Sequence, residues 1–242
     1  MKHVLADPQG LSARARRFLG AHASMAPFDA TAGPSDDELR GQLRALFDIT
    51  DDTALTRLRG AQARYGGLRY HSAAWGFREV IEFAPWPEYE AGDGEPIAWF
   101  IEHGVAYPWA VWMLGDGTVA YCFPGPHVGQ VVPVFRSGDA VIERDALYHE
   151  CADWTPVRPP GSHTPLTARA VRTAAQRQGL APLHAASGHT EWWWGGDGFR
   201  VHVSFTFAKV FEEPEEERWW IWADGPSAEH AARAFLAGAT EE

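Results

Sequence analysis

The sequence predicts an α+β fold, an antiparallel or mixed sheet flanked by helices, on three observations. Apolar and small residues recur at helical spacing through Leu55, Leu58, Ala61 and Tyr65, and Gly66-Gly67 then stops that helix where a left-handed residue can cap it. From Leu68 the chain breaks into short apolar runs separated by Gly, Pro and Asp, the mark of an antiparallel meander. Towards the C-terminus, Trp192-Trp193-Trp194 and Trp219-Trp220-Ile221-Trp222 are aromatic, strand-prone runs bounded by glycine and acidic turns.

Taken in order, residues 1–34 hold a short basic helix around 11–19 and then Ala, Gly and Pro-rich sequence, which reads as a loosely attached N-terminal arm. Its arginines read as a solvated helix face. Ser35-Asp36-Asp37-Glu38 supplies a cap and an acidic first turn for a helix striped by Leu39, Leu43, Leu46 and Phe47. Thr50-Asp51-Asp52 caps the helix that stops at Tyr65-Gly66. Strands are expected near 77–84, 97–101, 104–107, 109–114, 118–123 and 131–136, with a tight hairpin at Gly115-Asp116-Gly117, because Asp-Gly accepts the positive dihedrals of a two-residue turn. Residues 85–96, rich in Pro, Gly and acid, read as a surface loop. A helix over 142–154 closes this domain of residues 35–155, and the proline-rich stretch 156–165 reads as a linker.

Beyond it, residues 166–242 show a small helix-strand-strand-helix extension. It has a helix at 167–178, strands at 190–194 and 199–211, an acidic turn at 212–217, a returning strand at 218–223 and a last helix from 226 to 236. So small a unit is expected to pack on the first sheet.

Composition narrows the function. A net charge of −11 disfavours nucleic acid, whose phosphates call for clustered Lys and Arg, and suits a basic protein partner. Cys122 and Cys151 are too few for a disulfide framework and make no paired-cysteine metal knuckle, which fits a reducing cytoplasm. The first residues lack the apolar core of a signal peptide, and no run approaches the ~18 apolar residues of a membrane span.

The order of elements over residues 35–154 resembles SMI1/KNR4-type proteins, the SUKH superfamily: two helices, the step Tyr65-Gly66-Gly67-Leu68, a meander carrying Gly115-Asp116-Gly117, and a terminal helix ending near Trp154. Members are mostly bacterial immunity proteins that bind and neutralise cognate toxins. The resemblance implies a non-catalytic binding scaffold without cofactor, and it transfers no catalytic residue.

The residues themselves offer two kinds of site. The Trp-rich strands send Trp192 and Trp194 to one face and Trp193 to the other, and split Trp219 and Ile221 from Trp220 and Trp222. Trp193, Trp220 and Trp222 are therefore candidates for a partner surface. Trp86, Glu88, Tyr89 and Glu90 are a second candidate, since an aromatic set among carboxylates suits a basic partner. The alternative is an enzyme or small-molecule binding protein with a cleft between the two sheets, using His184, His189 or His202. With Glu191 those histidines could hold zinc, although their spacing fits no familiar metal motif. The chain has no Gly-x-Ser-x-Gly elbow, phosphate loop or dinucleotide turn.

Overall fold

The step from helix to sheet at Tyr65-Gly66-Gly67-Leu68 sets the geometry of the first half of the chain. In the computed structural model, which describes residues 1–74, 79–87, 96–103, 110–122, 131–158, 166–214 and 217–239, Gly67 adopts φ 78° and its N–H bonds Phe83 O at 2.8 Å. A Cβ on Gly67 would lie 2.3 Å from Ala26 O, and one on Gly66 would lie 2.3 Å from the Phe28 ring. Both glycines are therefore needed, one for its dihedral and both for the close approach of residues 26–28.

Three helices precede or enter this step: α1 (Ala13–His22), α2 (Asp36–Phe47) and α3 (Thr53–Tyr65). The expected cap of α2 is a full capping box between Ser35 and Glu38. At α3 the cap falls one residue earlier than its N-cap position, with Asp51 Oδ1 accepting from Thr53 N at 2.7 Å while Asp52 pairs with Arg40. Seven strands follow the order of the chain in one antiparallel sheet: β1 (Ser24–Met25), β2 (Leu68–Ser72), β3 (Glu79–Trp86), β4 (Pro96–His103), β5 (Ala110–Leu114), β6 (Val119–Cys122) and β7 (Val131–Phe135). The hairpin between β5 and β6 turns where the Asp-Gly pair puts it, with Gly117 at φ 85°. A strand expected near 104–107 lies outside the described residues.

The N-terminal residues depart from expectation. Instead of a loose arm, they bury Val4, Leu11, Ala15, Phe18 and Leu19 in the main core and add β1 to the edge of the sheet. Ser12 caps α1 and bonds the buried Glu143, while Arg64 reaches Asp139 at 2.9 Å and the carbonyls of Asp7 and Gln9. The spacing Leu11, Ala15, Phe18, Leu19 is a helical stripe, and burial of that stripe holds the segment down.

Helix α4 (Gly138–Glu150) starts four residues earlier than its apolar pattern suggested, because Ser137 caps it, and it ends before Trp154. It is buried on nearly every side, including Glu143, Arg144 and Asp145, since a second sheet covers the face turned away from the first. That sheet runs β8 (Thr155–Pro156), β12 (Arg218–Ala223), β11 (Phe199–Ser204), β10 (Glu191–Gly195) and β9 (Ala181–Pro182). Helices α5 (Ala168–Arg177) and α7 (Pro226–Ala239) pack on its far face around Trp194, Val201, Ile221 and Phe235.

Two further corrections concern this half. The linker reading at 156–165 begins too early, because Thr155–Pro156 pair with Trp222 and Ala223 and Val157 joins the second core. Residues 159–165 lie outside the described residues. The long strand expected over 199–211 ends at Ser204, and Thr206–Val210 form a short helix, α6, whose Phe207 ring packs near Tyr121 of the first sheet at 6.2 Å. The two sheets also meet at backbone level: His189 N donates to Val134 O at 2.8 Å, beside Gly188. Among the described residues, no helix is long and apolar enough to cross a membrane.

Candidate functional site

Alternation in β10, β11 and β12 places Trp193, His202 and Trp220 side by side on the face turned towards α4. The rings form a ladder. Trp193 stacks on His202 with centroids 4.3 Å apart and 16° between planes, and His202 stacks on Trp220 at 5.0 Å and 12°. Trp222 stacks on Trp193 at 5.7 Å and on Trp220 at 6.4 Å. The inner end is closed by Tyr148 of α4, which meets Trp193 edge-on at 5.1 Å, while the outer end is open, with Trp220 37% exposed. A tryptophan fixed in this way loses little rotamer freedom when a partner covers it.

Behind the ladder lies a buried polar seam. Tyr148 Oη is 3.0 Å from His202 Nδ1, and His202 Nε2 is 3.4 Å from Glu191 Oε2, an ion-pair distance without hydrogen-bond alignment. Thr206 Oγ1 donates to Glu191 Oε1 at 3.2 Å. Arg144 Nε lies 2.9 Å from Asp145 Oδ1, its Nη1 donates to Tyr121 Oη at 3.3 Å, and Tyr70 Oη donates to Asp145 Oδ2 at 2.9 Å. Burial lowers the His202 pKa against the opposing pull of Glu191, so the ring is neutral at pH 7. Burial alone would raise Glu191, but the His202 ring and the Arg144 charge outweigh it and hold the carboxyl below its usual value. Burial pushes Asp145 up despite Arg144, and it pushes the phenols of Tyr70 and Tyr148 well above 10. Glu191, His202 and Tyr148 have the order of an acid–base relay. They are enclosed, His202 being 1% exposed and Trp193 0% exposed, and the set joins α4 to the second sheet.

Open space lies elsewhere. A groove of about 790 Å³ runs between α5 and α6, floored by Trp192 and Phe205 and walled by Arg169, Arg172, Lys209 and Glu217, with His189 at one side. A smaller hollow of about 420 Å³ shares Gln176 and Trp192 with it and adds Arg136 and His184.

The residues singled out from sequence separate accordingly. Trp193 is a correction: full burial under Tyr148 removes it from any partner surface, leaving Trp220 exposed and Trp222 half-buried. Trp86 is half-buried, its ring 4.9 Å from that of Phe28. Glu88, Tyr89 and Glu90 lie outside the described residues. His184 and His189 are exposed at the hollows whereas His202 and Glu191 are buried, so the four do not converge. Among the described residues, no group of three or more His, Cys, Asp and Glu is placed to hold a metal. The cleft expected between the two sheets is filled by α4 and its polar residues. Sequence reasoning missed Arg144, Asp145 and Tyr148, which sit on a helix read only as a closing element, and the groove cations, which come from segments far apart in the chain.

No family model matches the chain, and no curated protein or solved structure matches it.

Proposed function

We propose that this chain is a non-catalytic binding protein of the immunity type, acting in the cytoplasm to neutralise a basic protein toxin by covering it. The observation that carries the reading is the ladder ending in Trp220, an exposed aromatic ring backed by a buried stack. Interface hot spots have this character: an aromatic anchor whose conformation is set before the partner arrives. Two further facts support it. The net charge of −11 would steer a basic partner and disfavour nucleic acid, and the helix-helix-meander-helix order over residues 36–150 is the arrangement that the SMI1/KNR4 resemblance implies.

The test is calorimetric titration of the purified chain with the toxin encoded beside it. A complex with Kd below micromolar is expected, and Trp220→Ala is expected to weaken it by about 2 kcal/mol or more. Since Trp220 is partly exposed, the variant should keep its melting temperature within a few degrees. Absence of a complex at micromolar concentration, or unchanged affinity in the folded variant, would contradict the proposal.

A further inference from the structure

The groove between α5 and α6 has a charge opposite to that of the protein around it. Arg169 and Arg172 come from one helix, Lys209 from another, and Arg136 from the end of β7 at the adjoining hollow. Glu217 is the carboxylate in the described lining, 3.5 Å from an Arg169 whose side chain is 81% exposed. In a chain of net charge −11, cations from two separate segments line the groove and a third lies at the adjoining hollow, with one acid among the described lining residues.

Arg172 is the informative residue. Its guanidinium carbon sits 3.8 Å from the Trp192 ring centroid, over the ring. A guanidinium seated this close over a ring can keep its N–H donors turned towards the groove that Arg172 lines. An arginine held by its face is oriented before binding, and its fork matches phosphate oxygens two at a time. Lys209 adds a point charge from the opposite wall, and Gln176 adds an amide for hydrogen bonding. The floor is aromatic, with Trp192 and Phe205 packed edge to face at 5.5 Å.

From this arrangement the geometry points to a binding site for a phosphorylated small molecule carrying a planar ring, the chemical class of a nucleotide. The phosphates lie against Arg172 and Lys209, and the ring packs in the groove beside the Arg172–Trp192 stack. A volume of about 790 Å³ matches a small ligand. A nucleic acid strand fits less well, because it would run beyond the groove onto a surface carrying the rest of the −11 charge. A small anion needs a favourable field only over roughly one Debye length, about 8 Å at physiological salt. The site is on the opposite face of the second sheet from Trp220, so it stands or falls independently of the toxin proposal.

Titration of the full chain with ADP, pyrophosphate and adenosine at low ionic strength tests it. ADP is expected to bind saturably, pyrophosphate more weakly and adenosine most weakly, with ADP affinity falling as salt rises. Arg172→Ala and, from a separate element, Lys209→Gln should each weaken ADP binding, the first by about tenfold. Arg17→Ala, on the exposed face of α1, should match the parent. Any of three results would overturn the assignment: no saturation at millimolar ADP, equal binding by the folded Arg172→Ala and Lys209→Gln variants, or displacement of ADP by single-stranded RNA or poly-glutamate at lower concentration.

Discussion

At the residue scale, stability rests on polar side chains that the two sheets enclose. Tyr70 donates to Asp145, and Asp145 faces Arg144 in the same buried layer, so each group depends on the others for what water would otherwise supply. Tyr70→Phe should lower unfolding free energy by about 1–3 kcal/mol in a denaturant titration, because the buried Asp145 carboxyl loses the phenol among its donors. An unchanged midpoint would contradict this role. His3, His149 and His202 are all held below the ordinary value of 6.5, by burial first. The unfolded chain therefore takes up protons at a higher pH than the folded chain. The stability these groups contribute is complete above about pH 6.5 and is lost as pH falls through 6.5 towards the folded values. Glu191, also lowered, adds a loss of the same sign below 4.5, whereas the raised Asp145 acts in the opposite direction above 3.8. The melting temperature should fall as pH drops from 6.5 to 5, and His202→Gln should flatten that slope. An equal slope in the variant would remove His202 from the explanation.

At the element scale, the junction of α3 and β2 is the position most sensitive to substitution. Gly67→Ala places a Cβ at φ 78° and 2.3 Å from Ala26 O. The dihedral alone costs about 1–2 kcal/mol, and the clash adds to it. Chemical denaturation should register at least that loss, and a variant as stable as the parent would mean the backbone can relax there. This junction was legible in the sequence because glycine pairs punctuate so strongly. So were the N-cap and acidic first turn at Ser35–Glu38, the Asp116-Gly117 hairpin and strand β12, whose signals are local. Elements set by distant contacts were not. Phe205, Thr206 and Phe207 are strand formers by composition, yet the chain turns into α6, where Thr206 bonds Thr190 and Phe207 approaches Tyr121. Proline at 156 suggested a spacer, but an edge strand tolerates proline when the missing N–H faces outward. The proposed partner surface was half legible in one respect: alternation assigned the faces of the tryptophans as the structure has them, while the burial of Trp193 depends on Tyr148, a helix residue 45 positions away that no local pattern connects to it.

At the scale of the whole molecule, α4 is the layer shared by both sheets, and the loop before β10 pins them together. Gly188 passes so close to β7 that a Cβ would lie 1.8 Å from Val134 O. Gly188→Ala should therefore push the loop off the first sheet, costing about 1–3 kcal/mol and exposing the His189 amide to hydrogen exchange. Protection as strong as in the parent would show that the contact does not hold the sheets. The same union fixes the face of the second sheet from which Trp220 projects, and the proposed binding by occlusion relies on that fixed surface. Measuring residual toxin activity against the molar ratio of added protein tests occlusion most directly. A stoichiometric blocker makes activity decline linearly to its floor at one chain per toxin, with no change on longer incubation, whereas progressive inactivation of the toxin by a small fraction of an equivalent would contradict it.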